Sequence, residues 1–358
     1  MRADLPYWVG LTHFRSFGAI RTARLARRFP DMQAAFEASA SQLVEAGIEP
    51  KIASRFLQER IHIDPDALMR KLELHGIQAL TMKDDIYPPL LKEIYDPPAV
   101  LYVRGTLPDP ERRHVAVVGS RKATHYGKRV TEELVTDLAR ENVVIVSGLA
   151  YGVDAVAHDT TVTAGGTTLA VLGSGIDNDS IYPSRNRALA SRILTNGGAL
   201  ISEFFPGTPP LKHHFPFRNR VIAGICHGTL VTQAALKSGS LITARAALEH
   251  NREVYAVPGS IHEPLSEGPH NLIKLGATPV TCVADIIGIE PTKPAGPAYE
   301  PANEDERTLL SKLSSTPIHL DELVRTLGLP TPKVSSLLSL LEIKNAIRHE
   351  GAGYYSRK

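Results

Sequence analysis

Val115-Ala-Val-Val-Gly-Ser-Arg121 is the stretch on which the fold of this chain turns. Four apolar residues, three of them β-branched, read as a strand buried on both faces, and a glycine–serine turn ends it. The same figure recurs downstream. Val143-Val-Ile-Val146 runs into Ser147-Gly148-Leu-Ala-Tyr-Gly152-Val-Asp154, Leu169-Ala-Val-Leu172 into Gly173-Ser174-Gly175, and Leu230-Val-Thr232 leads on to Ser238-Gly239-Ser240. Further short apolar runs lie at 99–103, 200–202, 253–257 and 279–283. Amphipathic helices fall between several of them. The segment 127–140, for example, places Val130, Leu134 and Leu138 on one face.

Short strands with helical crossovers predict an α/β fold, a doubly wound, mostly parallel Rossmann-like sheet spanning 76–288. Residues 1–75 read as an all-helical domain, with helices near 19–29, 32–38, 41–46 and 51–59. Within it Leu43-Val-Glu-Ala-Gly47-Ile48 has the form of a helix–hairpin–helix turn, and Phe17-Gly18-Ala19-Ile20 is a weaker echo. Such a turn can hold a phosphate at a helix N-terminus, or can be plain packing with Gly47 past the helix end. Residues 289–304, rich in Pro, Ala and Glu, read as a linker. Beyond it, helices at 305–313, 320–327 and 331–341 and a hairpin pairing 346–348 with 354–356 predict a C-terminal winged-helix domain over 305–358.

Composition bounds the function. A 358-residue chain with 43% apolar and 22% charged residues is a globular protein of more than one domain. Its net charge is only +2, so an anionic partner must be held by local placement of cations. Cys226 and Cys282 sit in apolar contexts and read as buried thiols; neither has a partner at metal-ligand spacing. No signal core or membrane-length apolar run is present, so a cytoplasmic protein without membrane contact is expected.

In a doubly wound sheet, ligands bind beyond the carboxyl ends of the strands. Small residues there let backbone amides approach an anion. A single glycine turn is ordinary turn chemistry. Several in one sheet, with Arg121 beside the first, suggest an anion longer than one nucleotide. The segment Lys212-His-His-Phe-Pro-Phe-Arg-Asn-Arg-Val-Ile222 adds cations interleaved with aromatics, the combination a single nucleic-acid strand requires of a surface. A surface loop with its phenylalanines in the core is the other reading. No turn matches GxGxxG with its acidic partner, and no GxxxxGK[ST] loop occurs, so NAD, ATP and other cofactors are not expected. Asp154 and His158, four apart on a helix, form a catalytic or metal pair or, more simply, an N-cap and a core histidine. His213 and His214, adjacent in an extended segment, point apart and make a poor metal site.

Together these blocks closely resemble the DNA-processing protein A (DprA, or Smf) family. The resemblance is carried by Val115–Arg121, by Ser147–Asp154 with His158, by Phe215-Pro-Phe-Arg-Asn-Arg220, by Ser238-Gly-Ser-Leu-Ile-Thr-Ala244 and by Val257-Pro-Gly259. Tyr87-Pro-Pro-Leu-Leu, Pro97-Pro-Ala-Val-Leu-Tyr-Val-Arg-Gly105, Gly268-Pro-His-Asn271 and Gly276-Ala277 extend it from about Tyr87 to Asp285. It implies a non-enzymatic protein, usually a homodimer, that binds incoming single-stranded DNA in natural transformation and loads RecA recombinase onto it. By that likeness Gly119, Ser120, Arg121, Ser147 and Gly148 hold phosphate, Lys212 pairs with phosphate, Phe215 stacks on a base, and Arg218, Asn219 and Arg220 shape the pocket. Gly173 and Ser240, at neighbouring strand ends, complete the candidate set, and Phe217 is assigned to the core.

Two departures stand out: Gln233 replaces an acidic residue frequent in the family, and Asp177-Asn-Asp-Ser180 is a polar insertion before Tyr182-Pro183. A rival fold-mate, a nucleoside monophosphate N-glycosidase, carries PGGxGTxxE. Here the corresponding Gly228-Thr-Leu-Val-Thr-Gln-Ala-Ala235 has neither the double glycine nor the glutamate. In the winged helix the third helix has one cation, Lys333, so specific duplex readout is not expected. Protein contacts, or non-specific DNA contacts from Lys344, Arg348 and Arg357, fit better.

Overall fold

Nine strands order the larger part of the molecule: β1 (Gln78–Leu80), β2 (Leu101–Gly105), β3 (His114–Val118), β4 (Val144–Ser147), β5 (Thr168–Leu172), β6 (Ala199–Ser202), β7 (Gly228–Val231), β8 (Glu253–Ala256) and β9 (Thr278–Pro279). A computed structural model describes residues 2–288, 301–314, 316–344 and 346–357. They form two compact units, one before and one after the segment 289–300. The expected linker at 289–304 lies largely outside the described residues.

The sheet order is β1-β2-β6-β5-β4-β3-β7-β8-β9. Every neighbouring pair from β6 to β9 is parallel, whereas β1 and β2 are antiparallel additions at one edge. This is a mixed α/β fold with a large, mostly parallel sheet. Its chain reverses direction of travel across the sheet at β3 and β7, where a crevice is forced to open. The central strands are covered on both faces, which explains their continuous apolar runs. Val115 and Val117 of β3 point into one core, and Ala116 and Val118 into another.

The helices before the sheet are α1 (Leu5–His13), α2 (Ala19–Arg28), α3 (Met32–Glu37), α4 (Ala40–Glu45), α5 (Pro50–Arg60) and α6 (Pro65–Leu74). Trp8 and Phe56 from these helices, with Phe14 and Phe17 from the turn between α1 and α2, share one apolar cluster with Tyr102, Leu172, Leu200 and Phe205 of the sheet layer. The helical segment is therefore seated on one face of the sheet rather than tethered to it. At the hairpin turn Gly47 adopts φ +84°, its amide donates to Val44 O at 2.9 Å, and Arg24 covers its carbonyl at 2.7 Å.

Along the sheet follow α7 (Pro89–Lys92), α8 (His125–Arg140), α9 (Val153–Thr163), α10 (Arg187–Thr195), α11 (His214–Ile225), α12 (Ser240–Glu249), α13 (Glu267–Lys274) and α14 (Ala284–Ile287). α8 and α9 pack with α14 on one face, and α11 and α12 on the other. Two expectations fail here. Cys226 is buried, but Cys282 is exposed, because the last strand stops at Pro279. The segment after Lys212 is helical from His214, not extended. Pro216 is tolerated because amides in a first helical turn have no intrahelical partner.

The second unit contains α15 (Glu304–Lys312), α16 (Leu320–Leu327) and α17 (Thr331–Ile343), with strands β10 (Ile318–His319), β11 (Ile347–Gly351) and β12 (Tyr354–Arg357). The strands form a small antiparallel sheet, β10-β12-β11, and Leu309, Leu323, Leu338 and Ile347 share its core. This is the winged helix. Lys344 is bonded to the buried carboxylate of Glu306 at 2.8 Å, which removes it from the expected set of DNA-facing cations.

Because helices and sheet share one core, Phe56→Ala should cost about 3–5 kcal/mol. Denaturant unfolding followed by helical and sheet probes should show both shifting together; two separate transitions would mean that the helices fold on their own.

Candidate nucleic-acid interface

At the carboxyl end of β3 the chain makes its first turn, Gly119-Ser120-Arg121. Ser120 N donates to Gln233 O at 2.7 Å, drawing the turn against the end of β7. A β-carbon on Gly119 would stand 2.5 Å from Val153 and 2.8 Å from Gln233 O, so only glycine fits. Gly152, at φ +74°, abuts Ser120 O on the other side, and Val153 N donates to that oxygen at 3.2 Å. The Gln233 side chain accepts from Thr124 N at 3.0 Å, fixing the start of α8. The departure from an acidic residue therefore falls at a bracing position.

This rigid turn leaves Arg121 exposed. Its guanidinium lies 5.5 Å from the centre of the Phe215 ring. Phe215 in turn rests on Gly173, where a β-carbon would come within 3.0 Å of the ring. Tyr182 stands beside it, with ring centres 6.0 Å apart. Lys212 is exposed just before α11. Among the described residues neither Arg121 nor Lys212 has an ion-pair or hydrogen-bond partner. The geometry joins one stackable ring, a second ring at its side and two uncommitted cations.

Ser147 and Gly148 behave differently. Ser147 is fully buried and its hydroxyl donates to Val117 O at 2.7 Å. Gly148 N donates to Asp154 Oδ2 at 3.0 Å, and Ala150 N approaches the same oxygen at 3.4 Å. With these groups already bonded, the expectation that this turn itself holds phosphate does not match its geometry. Gly148 instead makes room for Arg218, whose guanidinium would meet a β-carbon there at 2.5 Å.

Arg218 is buried. Its Nη1 donates to Gly148 O at 2.7 Å and to Val171 O, bridging the ends of β4 and β5. Burial pulls its pKa down to about 10, opposed by the nearby Asp154 carboxylate. Burial raises Asp154, opposed by Arg218 and by the two amides. Asn219 donates to Gly239 O at 3.2 Å, beside Ser240 at the start of α12. Arg220 reaches the other way: it pairs with Asp96 at 3.1 Å and Glu203 at 2.6 Å, so its charge is neutralised within the protein.

Phe217 is 57% exposed, contrary to its assignment to the core. Two residues along a helix is about 200°, so Phe215 and Phe217 stand on opposite flanks of α11. The supporting ring of Tyr182 was also missed. Its sequence signal was an aromatic beside proline in an otherwise polar loop.

Asp154 and His158 take structural places. His158 Nδ1 lies 2.7 Å from Thr168 Oγ1, with the ring buried under the sheet. Among the described residues no group of three or more His, Cys, Asp or Glu side chains could hold a metal. No helix among them is long and apolar enough to cross a membrane.

A parallel sheet whose switch-point edge presents unneutralised cations around a stackable ring defines a class of protein fitted to an extended anion with flat groups. The matches to known proteins agree. Residues 78–289 match the family described as DNA recombination-mediator protein A, and 293–353 match the DprA winged helix domain. The chain belongs to the DNA recombination-mediator protein A family. It is 39% identical over 324 residues to Protein Smf of Escherichia coli, covering 87% of this chain and 86% of that one. It is 44% identical over 232 residues to DNA processing protein DprA of Streptococcus pneumoniae, covering 65% and 80%. The crystal structure of the pneumococcal protein superposes with a TM-score of 0.67 at 36% identity, covering 79% of this chain and 97% of that one. The Helicobacter pylori DNA processing protein A, described for its single-stranded DNA binding mode, superposes at 0.51 with 30% identity, covering 59% and 94%.

The buried histidine gives a test of the frame. Burial lowers the His158 pKa to about 3 from 6.5. Between those values the unfolded chain carries a proton that the folded chain excludes, so stability falls as pH drops through this window. The slope from one such group approaches about 1.4 kcal/mol per pH unit. Urea midpoints measured across it should show the decline, and His158→Asn should flatten it; an unaltered slope would show that other groups carry the acid sensitivity.

Proposed function

We propose that this chain is a recombination mediator that binds single-stranded DNA along the carboxyl edge of its parallel sheet. Incoming DNA in natural transformation is the substrate, and the bound strand is passed to RecA recombinase. The observation that carries the reading is the Arg121–Phe215 contact with Lys212 close by. It sets phosphate-seeking charge around a face on which any base can stack, with no requirement for sequence. The division of labour is Arg121 and Lys212 for phosphate, Phe215 for the base, and Arg218 with Asn219 for holding the strand ends in register. RecA loading, a homodimeric state and a cytoplasmic location are supported by the family likeness.

No chemical step is assigned to the protein. The carboxylate behind the edge, Asp154, is held by two amides and faces Arg218, so it is not presented to a ligand as a general acid or base. The N-glycosidase reading accordingly has no positioned carboxylate at this turn to rest on.

Titration of single-stranded and duplex oligonucleotides over a salt series tests the proposal. Single strands should bind more tightly at every salt concentration; equal affinities would sink it. Arg121→Ala and Lys212→Ala should each reduce the salt slope by about 0.7, the value for one phosphate on a single strand. Phe215→Ala should instead cost about 1–3 kcal/mol of binding with the slope nearly unchanged. A changed slope without loss of affinity would reassign the ring to packing.

A further inference from the structure

On the other flank of α11 lies a cleft of about 660 Å³ between the N-terminal helices and the sheet. That volume is ample for a nucleotide. Phe217 and Phe204 line it, as do His213 and His214. The opposite wall is the start of α2, Gly18 and Ala19, with Arg15 just before it. α2 begins after Gly18 without a side-chain cap, so no side chain occupies its first amides. Arg15 is exposed and makes no ion pair or hydrogen bond among the described residues. His214 is only 6% exposed and lies flat against Phe204 with ring centres 4.1 Å apart, so the two rings form one aromatic wall of the cleft.

The polarity of the cleft is graded. Asp96 and Glu203, two carboxylates on the single guanidinium of Arg220, occupy its more buried end. That end repels phosphate and offers acceptors to an amino group. Arg15 and the uncapped helix end favour phosphate, and the Glu49 carboxylate on the same wall is paired with Arg21 at 2.8 Å. A nucleotide matches both ends, with its base toward Phe217 and the carboxylates and its phosphate toward α2.

We propose that this cleft takes a further nucleotide of the strand whose neighbour stacks on Phe215, so that single-stranded DNA crosses the first turn of α11 with an aromatic ring on each flank. The N-terminal helices then form part of the binding surface. The inference rests on the sheet edge being the single-strand interface, and it adds a second subsite to it.

The test uses the full chain and oligothymidylates of about four and about sixteen nucleotides, the range of single-strand site sizes. Phe215→Ala should weaken both lengths. Phe217→Ala should weaken both lengths as well, by about fivefold or more, the loss expected for one stacked base. Arg15→Ala should lower the salt slope by about 0.7 on both. Phe217 and Arg15 are both exposed, so neither change threatens folding. If both variants bind both lengths like the parent while Phe215→Ala is impaired, the cleft inference is overturned and the sheet-edge reading stands. If Phe215→Ala and Lys212→Ala bind normally too, the sheet-edge reading itself fails.

Discussion

The buried guanidinium of Arg218 is the constraint on which the site depends. It lies against Gly148 at a distance no β-carbon would allow, and it bridges carbonyls at the ends of β4 and β5. A buried cation is costly unless its donors are satisfied and an opposite charge is near. Asp154 answers the charge, and in doing so its carboxylate takes up the amides of Gly148 and Ala150. This core fixes where α11 begins. From that start follow Phe215 on Gly173 and Lys212 at the helix entrance. The surface residues are free to meet a ligand because the residues beneath them are not.

The sheet was legible in the sequence because its strands are buried on both faces. Val115–Val118 and Leu169–Leu172 are apolar throughout, and glycine turns mark their carboxyl ends, so the period was unambiguous. β1 was missed because three residues at an edge carry no pattern. The start of α11 was misread because proline and paired histidines suggest an extended segment. In a first helical turn proline removes no hydrogen bond, and that exception decided the outcome. The mistake about Phe217 followed directly. An extended chain also turns alternate residues to opposite sides from those between them, but only the helix places Phe217 over an open cleft.

Charges were harder to read than strands. In the sequence Lys212, Arg218 and Arg220 look alike, three cations in one segment. The structure gives them three different tasks: Lys212 stands in solvent, Arg218 is locked under the sheet edge, and Arg220 is paired with two carboxylates. Nothing in a local sequence window separates these, since each role is set by residues between 15 and 125 positions away, such as Glu203, Asp154 and Asp96. The notion that the segment shapes a pocket was accessible from family likeness. The physical reason, a bridging guanidinium above a glycine, required the fold.

The same distinction locates the affinity for an anion. With a net charge of +2, this protein has no diffuse attraction to a polyanion, so binding depends on which cations remain unneutralised. In the winged helix Lys333 is tied to Asp305 at 2.7 Å and Lys344 to Glu306 at 2.8 Å, which leaves its third helix without a committed DNA-reading cation. At the sheet edge the reverse holds: among the described residues Arg121 and Lys212 have no ion-pair or hydrogen-bond partner, and Arg121 lies against the Phe215 ring. Counterion release from a bound strand is gained only where the protein has kept charges in reserve. The sheet edge keeps such charges in reserve, with Arg121 beside the Phe215 ring.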